Sequence, residues 1–201
     1  MNLILGLRTA QAAEFTDSGV IFESMDDANV ISTSVGDRVI VYLMPTTAAT
    51  EASIRVTFPT GFTVNATAGN WTTSTSNLPT NINGAAVNAV PGLGATAGNV
   101  SGQNVAFPSS NLTVGTLYAF AITGGLTMPD VSANTEYTNG QVATRDATVT
   151  NIDVSEWATQ IFNGTAGDDI AVSATVDANF EYTLDTTAVA LGTLSDASVT
   201  S

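Results

Sequence analysis

Carboxylates are the only abundant side chains here with acid–base chemistry. The 201 residues hold 18 Asp and Glu against 4 Lys and Arg, a formal charge of −14, and contain neither His nor Cys. Without imidazole or thiol the commonest general base, the thiolate nucleophile and the usual transition-metal ligands are all missing. What remains is carboxylate-pair chemistry and the binding of hard cations. The stretch NGTAGDDI, residues 163–170, places Asp168 and Asp169 beside turn glycines, and oxygen ligands of that kind hold calcium. It occurs once, with no tandem copy, so a solvated turn leading into a strand is the expectation, with Asp168 and Asp169 as weak calcium candidates. Asp26, Asp27, Asp177 and Glu181 read as exposed strand-end charges. No catalytic residue, no organic cofactor and no metal other than calcium is expected, and the chain is not expected to be an enzyme.

Five asparagines fit the acceptor pattern for N-glycosylation: Asn65, Asn70, Asn99, Asn111 and Asn163. Ser and Thr are so frequent that about this many would arise by chance; Asn65, Asn70 and Asn99 fall in a polar connection with room for a glycan. A sugar platform needs coplanar exposed aromatics. Of the two tryptophans Trp71 is expected to be the exposed one, and a single ring makes a poor platform. The cations are Arg8, Arg38, Arg55 and Arg145, with no lysine, so a Lys–Asn isopeptide link between subunits is ruled out. So acidic a chain has no electrostatic footprint for nucleic acid.

The first thirteen residues, MNLILGLRTAQAA, combine a short apolar run (Leu3, Ile4, Leu5, Leu7) with small residues of the signal-peptidase type at Ala10, Ala12 and Ala13. Residues 1–13 are therefore read as an apolar leader or an N-terminal arm. A membrane-spanning helix needs about 20 apolar residues, and no stretch of this chain supplies them.

These features must be carried by strands. Short Val-, Ile-, Thr- and aromatic-rich runs alternate with Gly, Pro, Asn and Asp clusters, which predicts an all-β, antiparallel sandwich over residues 14–165. Strands are expected over Val20–Ser24, Val30–Ser34, Arg38–Met44, Ser53–Phe58, Thr63–Ala66, Ala85–Val90, Asn104–Phe107, Thr116–Thr123, Glu136–Thr138 and Gln141–Asn151. Arg38–Met44 is almost continuously apolar and should be buried on both faces. Ser53–Phe58 alternates and should be buried on one. The core is predicted from Val39, Val41, Leu43, Ile54, Val56, Phe58, Leu117, Phe120 and Ile122. Residues 65–102 read as a long mobile connection with one or two short strands. Asp153–Gly164 fits a helix, with a capping box from Asp153 to Glu156, or a strand with Trp157, Thr159 and Ile161 on one face; its all-β surroundings favour the strand. Residues 166–201 carry three further strand-like segments, too few to close a second sandwich.

With DRVIVYLMPTTAATEASIRVTFPTGFTV and IAVSATVDANFEYTLDTTAVALGTLSDASV in view, the chain resembles the Thr-rich, immunoglobulin-like exported surface proteins of candidate-phyla bacteria with very small cells. The resemblance implies an immunoglobulin-like sandwich with additional C-terminal strands, located outside the cell or at its surface. The function expected is that of a structural subunit of an extracellular fibre, pilus or surface layer, with further copies of the chain as partners. An open apolar edge recruits strands from other chains, so Leu3, Ile4, Leu5 and Leu7 of the arm and Val189, Leu191 and Leu194 of the C-terminal strands are the expected assembly residues. The alternative is a secreted adhesin with a glycan ligand.

Overall fold

The computed structural model describes residues 12–163, which fall within the first of the two units into which the chain divides, Met1–Asp169 and Ile170–Ser201. In chain order the strands are β1 (Asp17–Phe22), β2 (Val39–Met44), β3 (Ser53–Thr57), β4 (Thr63–Val64), β5 (Thr73–Ser74), β6 (Asn81–Ile82), β7 (Ala85–Ala86), β8 (Asn88–Ala89), β9 (Asn99–Ser101), β10 (Asn104–Pro108), β11 (Tyr118–Ile122), β12 (Leu126–Thr127), β13 (Thr135–Arg145) and β14 (Asn151–Ile161). A 3-10 turn spans Ala68–Asn70, and there is no α-helix among the described residues.

Two five-stranded sheets dominate. The first runs β1-β2-β11-β5, with β8 parallel to β11 next to β5; the second runs β14-β13-β3-β10-β9. Apart from β8 with β11, the strands pair antiparallel. Every second side chain of each sheet enters one shared core: Val39, Val41 and Leu43 of β2 and Phe120 and Ile122 of β11 from one side, Ile54 and Val56 of β3, Val105 and Phe107 of β10, and Trp157 and Ile161 of β14 from the other. That is the alternation expected of half-buried strands. Each large side chain so buried stabilises the fold by about 1.5–3 kcal/mol relative to exposure.

All nine predicted core residues are buried. Leu117 lies in a second, smaller cluster, where Ile40, Ala119 and Ala121 on the opposite face of the first sheet meet Ile82, with Leu78, Ala85 and Val87 packed against them. Strand β11 reads YAFAI, with large residues toward the main core and alanines on the other face, where small side chains let the chain from Leu78 to Val87 lie close. This second cover is why β2 and β11 are buried on both faces.

The segment 65–102 is thus more structured than the sequence predicts. It contains β5, β6, β7, β8 and β9 and supplies the cover of the first sheet. Its β6–β7 hairpin turns on Asn83 and Gly84, both with positive φ (50° and 84°), the two-residue turn whose twist matches paired strands. Arg38 ties the segment down: its Nη1 donates to the Ser76 carbonyl at 3.0 Å and its Nη2 to the Asn77 carbonyl at 3.1 Å.

Other expectations are corrected. Val30–Ser34 forms no strand; only Val30 makes an isolated bridge, to Thr127, because the chain turns through Ser32–Asp37. Glu136–Thr138 and Gln141–Asn151 are not separate strands. Strand β13 runs unbroken through Thr138-Asn139-Gly140, with a register shift there, and ends at Arg145, while Asn151 opens the next strand. Asn139, at φ 65°, absorbs the extra residue, so a sequence with turn chemistry makes a bulge.

Candidate assembly seam

Segment 151–161 is a strand of eleven residues. The capping-box geometry open to Asp153 loses to the long ladder with β13, in which Asp153, Trp157 and Ile161 are buried while Glu156, Ala158 and Gln160 are exposed. Trp157 faces Gly140 across the ladder, and a Cβ on Gly140 would fall inside the Trp157 ring. Glycine there is a packing requirement: the indole occupies the place of a side chain.

Asp153 caps a loop rather than a helix. Its Oδ2 accepts from the Thr46 N–H (3.0 Å) and the Thr47 N–H (3.2 Å), and its Oδ1 from the Thr46 hydroxyl (3.0 Å) and the Thr47 hydroxyl (2.6 Å). Its own N–H donates to Thr144 Oγ1 at 3.1 Å. A buried carboxylate is tolerable when hydrogen bonds replace its water, and here they fix the exit of β2 against the start of β14.

The outer edge of β14 is engaged at two points. Ala13 donates to the Ile152 carbonyl at 3.0 Å and accepts from the Val154 N–H at 2.7 Å; further along, the Phe162 N–H donates to the Met25 carbonyl at 2.9 Å and the Asp27 N–H to the Phe162 carbonyl at 3.0 Å. Strand alternation directs the N–H and C=O groups of Glu156, Ala158 and Gln160 the same way as those of Val154 and Phe162. Among the described residues, none bonds to them.

Between Ala13 and Met25 the chain leaves this edge to form β1 in the other sheet, and β1 and β14 neighbour each other across the sandwich. Phe22 of β1 meets Trp157 of β14 with ring centroids 5.7 Å apart. The Glu23 N–H bonds to the Arg38 carbonyl, so alternation turns the backbone of Ser18, Val20 and Phe22 away from β2, and these groups too bond to no described residue. Two strand edges therefore flank one seam, and among the described residues neither uses its full pairing capacity there. Edge strands that avoid pairing carry Lys, Pro or a short length; β14 is long and has neither residue.

The assembly residues predicted from sequence, Leu3, Ile4, Leu5, Leu7, Val189, Leu191 and Leu194, and the calcium candidates Asp168 and Asp169 lie outside the described residues. The edge of β14 was missed as an assembly surface because nothing in a strand's own sequence says which of its sides is paired. Asn65, Asn70, Asn99 and Asn111 are exposed, and Asn163 is half-buried. The expectation for Trp71 is overturned. It is fully buried, stacked on Phe58 at 5.6 Å, and its Nε1 donates to the Asn65 carbonyl at 2.7 Å. Its polar flanks belong to the turn that carries it, while the ring itself fills the core. No group of three or more Asp or Glu suited to a metal occurs among the described residues. No helix among them is long and apolar enough to cross a membrane.

Fold and edge define an all-β protein of two facing, mainly antiparallel sheets. No protein-family model matches the chain, and no curated protein matches it. Among solved structures, that of BslA, described as a bacterial hydrophobin, is similar at a TM-score of 0.41 and 15% identity, over 76% of this chain and 95% of that one.

Proposed function

We propose that this protein is a structural subunit of an extracellular assembly, a fibre, pilus or surface layer, built without covalent links by strand contacts between copies. The two facing sheets are read as an immunoglobulin-like sandwich of the exported, Thr-rich kind, located at the cell surface and without enzymatic activity. The observation that carries the proposal is the seam: the outward backbone groups of Glu156, Ala158 and Gln160 on one side and of Ser18, Val20 and Phe22 on the other bond to no described residue. A strand from another copy laid in that seam gains main-chain hydrogen bonds, the mode of β-strand addition. Repeated head to tail, such a contact grows into a filament unless its rotation closes a ring.

Negative-stain electron microscopy of the purified full chain tests this, with Ala158→Pro as the informative variant. The outward N–H of Ala158 serves no bond among the described residues, so proline removes a donor from the edge. Ala158→Lys, which blunts the edge by charge and leaves φ free, serves as a second variant. Ordered polymers from the wild type and loss of polymers from both variants, at unchanged circular dichroism, are expected. A wild type that stays monomeric at all concentrations, or folded variants that polymerise as well as it does, would overturn the proposal.

A further inference from the structure

The outer face of the second sheet holds two arginines side by side. Arg55 on β3 and Arg145 on β13 project from the same face, since the intervening register pairs Ala143 with Arg55 and Arg145 with Ser53 while Ile54, Val56 and Val142 turn inward. Ala106 and Ala143, opposite Arg55 on its two neighbouring strands, leave a slot for its side chain. The slot opens into a cavity of about 210 Å³ lined by Arg55, Arg145, Asn99, Ser101, Asn104 and Ala106. It shares Asn99, Ala106 and Arg145 with a neighbouring hollow whose lining includes Pro108 and Val149.

Neither cation is held in an ion pair among the described residues. In a chain of charge −14, the one ion pair among the described residues is used by Arg38. Arg55 donates through Nη2 to Gln141 Oε1, and its buried Nε has no acceptor. Arg145 donates through Nε to the Val149 carbonyl at 3.0 Å, and its terminal nitrogens bond to no described acceptor. The neighbouring carboxylate of Asp146 feels the charge of Arg145 but makes no ion pair with it; its Oδ1 accepts the N–H groups of Thr148 and Thr150 at 2.8 and 2.9 Å and the Thr148 hydroxyl at 2.8 Å. Burial, and then the charge of Arg145, pull the Arg55 guanidinium below its ordinary pKa, so the pair opposes itself as it stands. Adjacent like charges and an orphaned buried donor are costs that a bound anion removes.

We infer that this cleft binds a hydroxylated monocarboxylate of the sugar-acid type, with its carboxylate between Arg55 and Arg145 and its hydroxyls against Asn99, Ser101 and Asn104. Guanidinium forks match the two coplanar oxygens of a carboxylate. Amide and hydroxyl groups, each both donor and acceptor, suit sugar hydroxyls, and Pro108 and Val149 in the adjoining hollow offer apolar surface to the C–H face of a ring. A singly charged ligand fits best because the remainder of the chain repels polyanions.

Titration calorimetry and amide-resolved NMR with D-glucuronate test the site, with D-glucose and inorganic phosphate as comparison ligands. Saturable binding of glucuronate is expected, with shifts confined to β3, β9, β10 and β13, at least tenfold tighter than glucose or phosphate. The affinity should fall at least tenfold in Arg145→Gln, with unchanged circular dichroism as the control for its fold; Arg55→Lys, which keeps the charge but not the fork, should weaken binding too. The methyl glycoside of glucuronate separates two sources of this chemistry. Equal binding marks the terminal residue of a saccharide, and loss of binding marks a free sugar acid. Equal affinity for glucose, preference for phosphate, or unchanged binding in Arg145→Gln would overturn the inference. So would a protein indifferent to glucuronate whose self-association is abolished by Arg145→Gln, since the carboxylate would then belong to a second copy.

Discussion

Arg38 grips Glu23 with two nitrogens, Nε at 2.9 Å from Oε2 and Nη2 at 2.5 Å from Oε1, beneath a surface that leaves the two side chains 4% and 14% exposed. The guanidinium also holds the carbonyls of Ser76 and Asn77, so a single side chain joins the end of β1, the start of β2 and the segment that covers the first sheet. Replacing Arg38 by Leu should cost about 3–5 kcal/mol, the range for removing one partner of a buried pair. Urea denaturation measures the loss. Amide exchange should accelerate first in the Leu78–Val87 cover, whose anchor is gone.

The same pair carries a pH dependence. The hydrogen bond from Arg38 holds the Glu23 carboxyl below its ordinary value of 4.5, against the opposing effect of burial, with help from the N–H groups of Gly36 and Arg38. The unfolded chain therefore takes up this proton at a higher pH than the folded one, and stability rises with pH wherever that is so. The contribution of Glu23 is complete above the ordinary value and is lost as the pH falls below it toward the folded pKa. Denaturation midpoints of the wild type and Glu23→Gln, compared down that window, should converge as the medium becomes acidic. A constant gap would contradict the assignment.

Asp153→Ala should be among the most damaging single changes, because it leaves the N–H groups of Thr46 and Thr47 without their acceptor. An unsatisfied buried donor costs about 1–3 kcal/mol, and these part-buried ones, which water can reach in part, fall toward the lower end of that range. Asp153→Asn keeps one carbonyl oxygen and should lose less. Equilibrium unfolding ranks the two, and amide exchange at Thr46 and Thr47 locates the effect.

Gly140→Val should displace the Trp157 ring from its seat on the backbone. Overpacking of this kind costs about 1–3 kcal/mol. Trp71, stacked on Phe58, is also buried, so a red shift in fluorescence after replacing Trp71 with Phe in the same background reports Trp157 alone. An unshifted spectrum at unchanged stability would mean that the ring does not lie where the geometry puts it.

Patterns settled within a few residues were legible in the sequence. Strand β3 and its buried face follow from alternation, and β2, buried on both faces, from its continuous apolar run; β10 and β11 were legible as strands, though Leu117 lies in the second cluster and not with Phe120 and Ile122. Asn83–Gly84, the turn of the β6–β7 hairpin, is an equally local signal. What required distant partners was not legible. Trp71 sits among Gly, Asn and Thr, and its burial depends on the Asn65 carbonyl, on Phe58 just beyond β3 and on Phe107 of β10. Asn139–Gly140 has the composition of a turn, and only the length of β14 opposite makes it a bulge. Arg55 and Arg145 become neighbours solely through the register of β3 and β13.

The two contacts that tie the early chain to β14, Ala13 with Asp153 and Asp26 with Phe162, set an order on biosynthesis. A polypeptide emerging from the ribosome amino end first offers β1 and β2 to each other early, but β14 is among the last described residues to appear, and long-range pairings of this type form slowly. The outward edge of β14 thus comes into being only when the second sheet is complete. Nascent chains crowded on one messenger carry the β1 side of the seam but not yet its β14 side, so in the proposed assembly copies meet through the whole seam only as finished domains.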